Sequence, residues 1–148
     1  VSEELSESEL ARAGCDLKVA IGRLVRRMRQ GHEPGDLTLS EILVLSRLDR
    51  HGPATPGALA DGERVRPQAM GATLSVLEHR SLVERAADPG DGRRVLMSVN
   101  ANGRRILRDR RSHSVQLMTA ALTERFTPDE QRRLIAIIPL LERMADHL

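Results

Sequence analysis

A chain of 148 residues with a net charge of +2 can bury one good core, as one domain or one domain with extensions. Its lone cysteine, Cys15, excludes an internal disulfide and a cysteine-based zinc site, and the five histidines (32, 51, 79, 113 and 147) show no metal-ligand spacing. With Phe126 as the one aromatic residue, there is almost nothing to stack on unpaired bases, so single strands and RNA fall well behind duplex DNA as partners.

In chain order, the first predicted helix runs from about Glu7 to Gln30. Ser6 and Glu9 have capping-box spacing, and Leu5 with Leu10 suits a hydrophobic staple. Leu10, Leu17, Ile21, Leu24 and Met28 follow in a four-three rhythm with Gly14 in the gap, a seam suited to packing along another long helix. A loop at 31–36 ends it. Thr38 and Glu41 repeat the box and Leu37 and Ile42 the staple for a second helix, which carries Leu45 and Leu48 inward and stops at His51-Gly52-Pro53. Thr55 and Pro56 open a third helix as cap and first residue, with Leu59 and Ala60 packed behind the next.

After the turn 61–65, a fourth helix spans Pro67 to about Arg80. Met70, Thr73, Leu74 and Leu77 recur on one face and predict burial. The opposite face carries Gln68, Gly71, Ala72, Ser75 and His79, small or polar groups suited to a DNA groove. Arg66 falls at the cap position and is a poor cap, so the helix start keeps open N–H groups able to receive a phosphate. Strand-like runs at 82–86 and 94–99 flank a segment dense in turn formers, Asp88 to Arg93. Asn100 then caps a long helix predicted to about Arg125, basic in its first half and apolar in its second. Thr127 and Glu130 open the last helix, which Pro139 should kink or locally unwind.

Helix, turn, helix and hairpin make a winged helix-turn-helix, so the fold class is mainly α with a small β-hairpin wing (α+β). Asp91-Gly92-Arg93, five residues, then Val99-Asn100 resembles the wing signature of the multiple-antibiotic-resistance regulator (MarR) family. That family usually has Leu-Thr at the last two positions, a conservative difference in the strand and an exchange of one capping residue for another. The resemblance covers nearly the whole chain, most specifically Leu59 to Asn100. It divides the single domain into a DNA-binding lobe, 37–100, and a helical dimerisation region, 5–30 and 101–148.

Charge points the same way. From Arg64 to Arg111 there are eleven Arg and five acidic residues, an electrostatic footprint for phosphate that includes Arg64. For Arg104, Arg105, Arg108, Arg110 and Arg111 a solvated helix surface is an equal alternative. Gln68 has the amide to pair with adenine, Ala72 suits a thymine methyl, Ser75 a base or phosphate, and Gly71 lets the backbone approach. The resemblance assigns Arg93 to the minor groove. Asp91 is suited to hold Arg93 or a neighbouring Arg by a salt bridge, and Arg94 to meet phosphate.

The terminal helices are more apolar than one small domain covers. Leu10, Leu17, Leu134, Ile138, Leu141 and Met144 would leave an exposed stripe without a partner, and the economical partner is a second copy. The resemblance implies the same homodimer, with two recognition helices reading half-sites about 10 bp apart. It also implies a small-molecule effector, often an aromatic acid or phenol, whose candidate contacts here are Ile21, Val25, Met28, Leu43 and Arg47. A peroxide-sensing branch of the family offers Cys15 as an alternative, but that branch sets tyrosines near the sulfur and this chain has no Tyr. A winged-helix protein that coats DNA without a defined operator is the reading from another class. No nucleophile–base pair, metal cluster or phosphate-cradling loop suggests an enzyme, and no cofactor or metal is expected. The absence of a bilayer-length apolar run and of signal-peptide features leads to the expectation of a cytoplasmic protein without a membrane partner.

Overall fold

The computed structural model describes residues 4–31, 33–109 and 112–148. Nine elements follow in the order α1 (Glu7–Gln30), α2 (Leu39–His51), α3 (Pro56–Gly62), α4 (Pro67–His79), β1 (Val83–Ala87), β2 (Val95–Val99), α5 (Ala101–Leu107), α6 (His113–Arg125) and α7 (Pro128–His147). They fall into two units, one formed by Gly35–Arg110 and the other by the two ends of the chain.

The central unit closes a core of its own. Val44, Leu45 and Leu48 of α2, Leu59 and Ala60 of α3, Met70, Leu74 and Leu77 of α4, and Leu82, Val83, Met97 and Val99 around the hairpin are all buried. Thr38 and Glu41 form the expected capping box, and Gly52 ends α2 at φ 80°, a left-handed backbone that favours glycine. β1 and β2 pair antiparallel with Val83 opposite Val99 and Ala87 opposite Val95. Both strands start one residue later than predicted, because Leu82 still belongs to the end of α4, its N–H donating to Leu77 O at 3.0 Å. A further bridge escaped the sequence reading: Ala54 exchanges two main-chain hydrogen bonds with Met97, 3.0 and 2.8 Å long, and lays the α2–α3 connection against the hairpin.

The helix after the wing is shorter than expected. Asn100 caps it as predicted, accepting from the Gly103 N–H at 2.9 Å, but α5 ends at Leu107 and α6 begins at His113. Arg104, Arg105 and Arg108 stack like charges at helical spacing in its last turns, which disfavours continuation. Arg110 and Arg111 lie outside the described residues, as does His32. Gly103 packs so closely that a Cβ would stand 2.3 Å from Leu82 O, a constraint that only a glycine meets.

In the terminal unit, capping boxes open α1 at Ser6/Glu9 and α7 at Thr127/Glu130, as the sequence predicts. The helical assignment of α7 runs through Pro139 without interruption, in place of the expected local unwinding. No residue of α1, α6 or α7 is buried among those described. Leu10, Leu134, Ile138 and Met144 are exposed, and Leu17 and Leu141 are half-buried.

Candidate nucleic-acid interface

The second helix of the helix-turn-helix is built to show one face. Met70, Leu74 and Leu77 pin α4 to the core, leaving Gln68, Ala72, Ser75 and His79 exposed and Gly71 half-exposed on the other side. Thr73 is half-buried, short of the burial its spacing predicts, because its hydroxyl donates back to Ala69 O at 3.2 Å. Val76 joins the outward face at 44% exposure; it sits one turn beyond Ala72, and a branched apolar group there offers a second surface for a thymine methyl. The sequence reading assigned Val76 to neither face of this helix.

The N-terminus of α4 is open as predicted. Pro67 takes the first turn, and Arg66 stands at the cap with φ −65° and ψ 142° and no side-chain cap hydrogen bond. The turn before it is firmly held. Arg64 adopts φ 51°, its N–H donates to Asp61 O and the Val65 N–H to Ala60 O, a left-handed closure of α3. Arg47 of α2 lies over Gly62, where a Cβ would meet its guanidinium, and pairs with Glu63 at 3.4 Å. Arg47 therefore fastens the helix-turn-helix turn.

At the hairpin tip, Asp88 and Asp91 order the loop through main-chain N–H groups. Asp88 accepts from Gly90 at 2.9 Å, and Asp91 accepts from Arg93 at 3.1 Å. The expected Asp91 salt bridge is thus a main-chain contact, which suits the short two-residue span better than a guanidinium folded back on itself. The carboxylate facing Arg94 is instead Asp88, at 4.0 Å.

The arginine surplus divides sharply. Arg80 is held by Glu41, Arg85 by Glu78, and Arg104 and Arg108 by Asp49 at 3.0 and 3.5 Å, so these cations brace the lobe. The Glu78 carboxylate, by its hydrogen bond and charge, holds Arg85 above its ordinary pKa. Among the described residues Arg64, Arg66 and Arg93 carry no ion pair and are exposed. Of the exposed arginines of this lobe without an ion pair, Arg64 and Arg66 sit at the start of α4, Arg93 at the wing tip and Arg105 on α5, where its guanidinium donates to Asn102 Oδ1.

Comparison with known proteins agrees with this architecture. The sequence model of the MarR family matches residues 37–95. An HTH-type transcriptional regulator of Mycobacterium tuberculosis is 40% identical over 98 residues, 66% of this chain and 68% of its own. The chain belongs to the MarR family. It is a transcriptional regulator of winged helix-turn-helix type, and its relatives are regulators rather than enzymes. The crystal structure of a candidate transcriptional regulator from Pseudomonas aeruginosa superposes with a TM-score of 0.70 at 28% identity, covering 95% of this chain and 97% of its own. BpsR of Bordetella bronchiseptica, whose DNA binding is regulated by 6-hydroxynicotinic acid, shares the fold with a TM-score of 0.62 at 23% identity, covering 90% and 98%.

Of the remaining residues predicted for this MarR-family chain, Ile21, Val25 and Met28 lie on α1 in the terminal unit and Leu43 on α2 in the central one. Ile21 and Leu43 are exposed, Val25 and Met28 half-buried. Cys15 is an exposed free thiol on α1. No helix among the described residues is long and apolar enough to cross a membrane.

Proposed function

We propose that the protein is a homodimeric repressor that reads a pseudo-palindromic operator and is released by a small aromatic or phenolic ligand. The observation that carries this reading is the sorting of α4: one face wholly committed to the core, the other a row of Gln68, Ala72, Ser75 and Val76 in the open, flanked by the unpaired cations Arg64, Arg66 and Arg93. Gln68 reads a base edge, Gly71 admits close approach, and Pro67 with Arg66 presents the helix start to phosphate. Arg93 enters the minor groove and Arg94 meets phosphate beside it. The exposed apolar residues of the terminal helices, Leu10, Leu134, Ile138 and Met144, with Leu17 and Leu141, support a second copy as their cover. Release by a ligand is supported by the regulation of BpsR, and Ile21, Val25, Met28 and Leu43 are the residues assigned to it here.

The test is binding to the DNA upstream of the protein's own coding region against unrelated DNA of equal length at one salt concentration. A preference of about a thousandfold or more, with a footprint of two half-sites about 10 bp apart, is the expected result. Equal affinity for both, with steep salt dependence, would demote the operator reading in favour of a protein that coats DNA without sequence preference.

A further inference from the structure

The cation at the far end of the recognition helix does not face outward with the others. Arg80, the C-terminal cap of α4, turns its guanidinium back into the lobe. One nitrogen donates to Glu41 Oε2 at 3.3 Å and approaches Asp36 O at 3.5 Å, and the other donates to Gly35 O at 2.7 Å. Glu41 is the buried charged residue of the core, 7% exposed, and the same oxygen accepts the Thr38 N–H at 3.0 Å. A single carboxylate thus caps α2 and anchors α4. Gly35 is where the chain enters this unit, at φ 98°, and Asp36 next to it keeps a buried carboxylate oxygen without a hydrogen-bond partner. The segment thus carries a left-handed turn that glycine permits and one unsatisfied buried oxygen, and Arg80 is among the groups that hold it.

We propose that Arg80 is a positioning residue for base reading, and this rests on the operator reading above. It fixes the tilt of α4 by tying its last turn, through Glu41 and Gly35, to the start of α2 and to the entering chain. A planar guanidinium fork is needed, since the bond to Gly35 O and that to Glu41 come from different nitrogens and run in set directions. A helix held by its apolar face alone can roll by a fraction of a residue on that face. The distance of Gln68 from a base edge is sensitive to such a roll, whereas a phosphate contact by a long arginine tolerates it.

The prediction separates sequence preference from affinity. Arg80→Lys keeps the charge and loses the fork; Gly35→Ala, far from α4's outward face, disturbs the other end of the tie where the backbone is left-handed and the space is open. Both are compared with the wild type on operator and on random DNA, over a salt series, after thermal unfolding shows each folded at the assay temperature. The expected result is a fall of about tenfold in operator preference, within the range for coupled residues in contact, with random-DNA affinity and salt slope unchanged. Equal losses on both DNAs would mean that the tie serves affinity and not base reading, and would overturn the proposal. Preference retained by both variants would overturn it as well, leaving the tie to the fold alone. A wild type without any preference overturns the operator reading and this proposal together.

Discussion

The two units of this chain solve the burial problem in opposite ways. In Gly35–Arg110, short helices and a hairpin bury twelve apolar side chains, several to complete exclusion of solvent. In the terminal unit, three helices of comparable total length bury none among those described, although their apolar residues recur at seam spacing. Helix formation and core formation are therefore separate achievements here. The central lobe has both; of the terminal helices α1 and α7 start at capping boxes, and all three leave their apolar residues unburied.

The largest effects should fall in the closed lobe. Leu45 is fully buried, and Leu45→Ala is expected to cost about 2–5 kcal/mol, lowering the unfolding midpoint in urea without changing the number of transitions. Ile138→Asp, on a half-exposed residue of α7, should instead leave the lobe's unfolding in place and shift the sedimentation coefficient from dimer to monomer. If Ile138→Asp lowers the lobe's midpoint as much as Leu45→Ala does, the two units are not separate in stability and the contrast fails.

Glycines sharpen the same contrast at smaller magnitude. Gly103→Ala drives a Cβ into the Leu82 carbonyl and Val99 and should cost about 1–3 kcal/mol, as overpacking does. Gly22→Ala has nothing within 4 Å and lies in a helix interior, so it should stabilise α1 by about 0.5–1 kcal/mol. Calorimetry at two protein concentrations reads both. A loss at Gly22, larger at high concentration, would mean that a second chain's backbone packs against this helix there.

What was legible in the sequence follows the same division. Local signals were read to the residue: the three capping boxes, the Thr55-Pro56 start, the uncapped Arg66 and the inward row of α4 depend on neighbours a turn away. Signals that need a partner distant in the chain were not. Arg80 and Arg104 entered the basic surplus of residues 64–111, with a solvated surface left open for Arg104, yet Glu41 and Asp49, 39 and 55 residues away, pair with them. Ala54 gave no strand signal because its bridge is one residue long, and the demand on Gly103 comes from the Leu82 carbonyl. A net arginine count measures how many cations a segment has; only the fold determines which of them are already paired.

The smallest effect distinguishes caps that work alone from a cap backed by a core. Ser6 and Thr127 donate hydrogen bonds to the carboxylates of Glu9 and Glu130 and hold both below the ordinary value of 4.5. Because the folded form lowers these pKa values, their contribution is present above 4.5 and is lost as pH falls through the lower folded values. Helical backbone chemical shifts at Leu10 and Gln131, whose N–H groups donate to the Ser6 and Thr127 carbonyls, should decay over that acid range. The corresponding N–H of α2, Ile42 to Thr38 O, belongs to a helix that Val44, Leu45 and Leu48 bind to the lobe, so its shift should persist. Persistence of all three together would mean that the terminal helices are secured as well as the lobe, and that their exposed seams are already covered in solution. Glu9→Gln then discriminates further, since an amide can still cap without titrating: the decay at Leu10 should disappear while that at Gln131 remains.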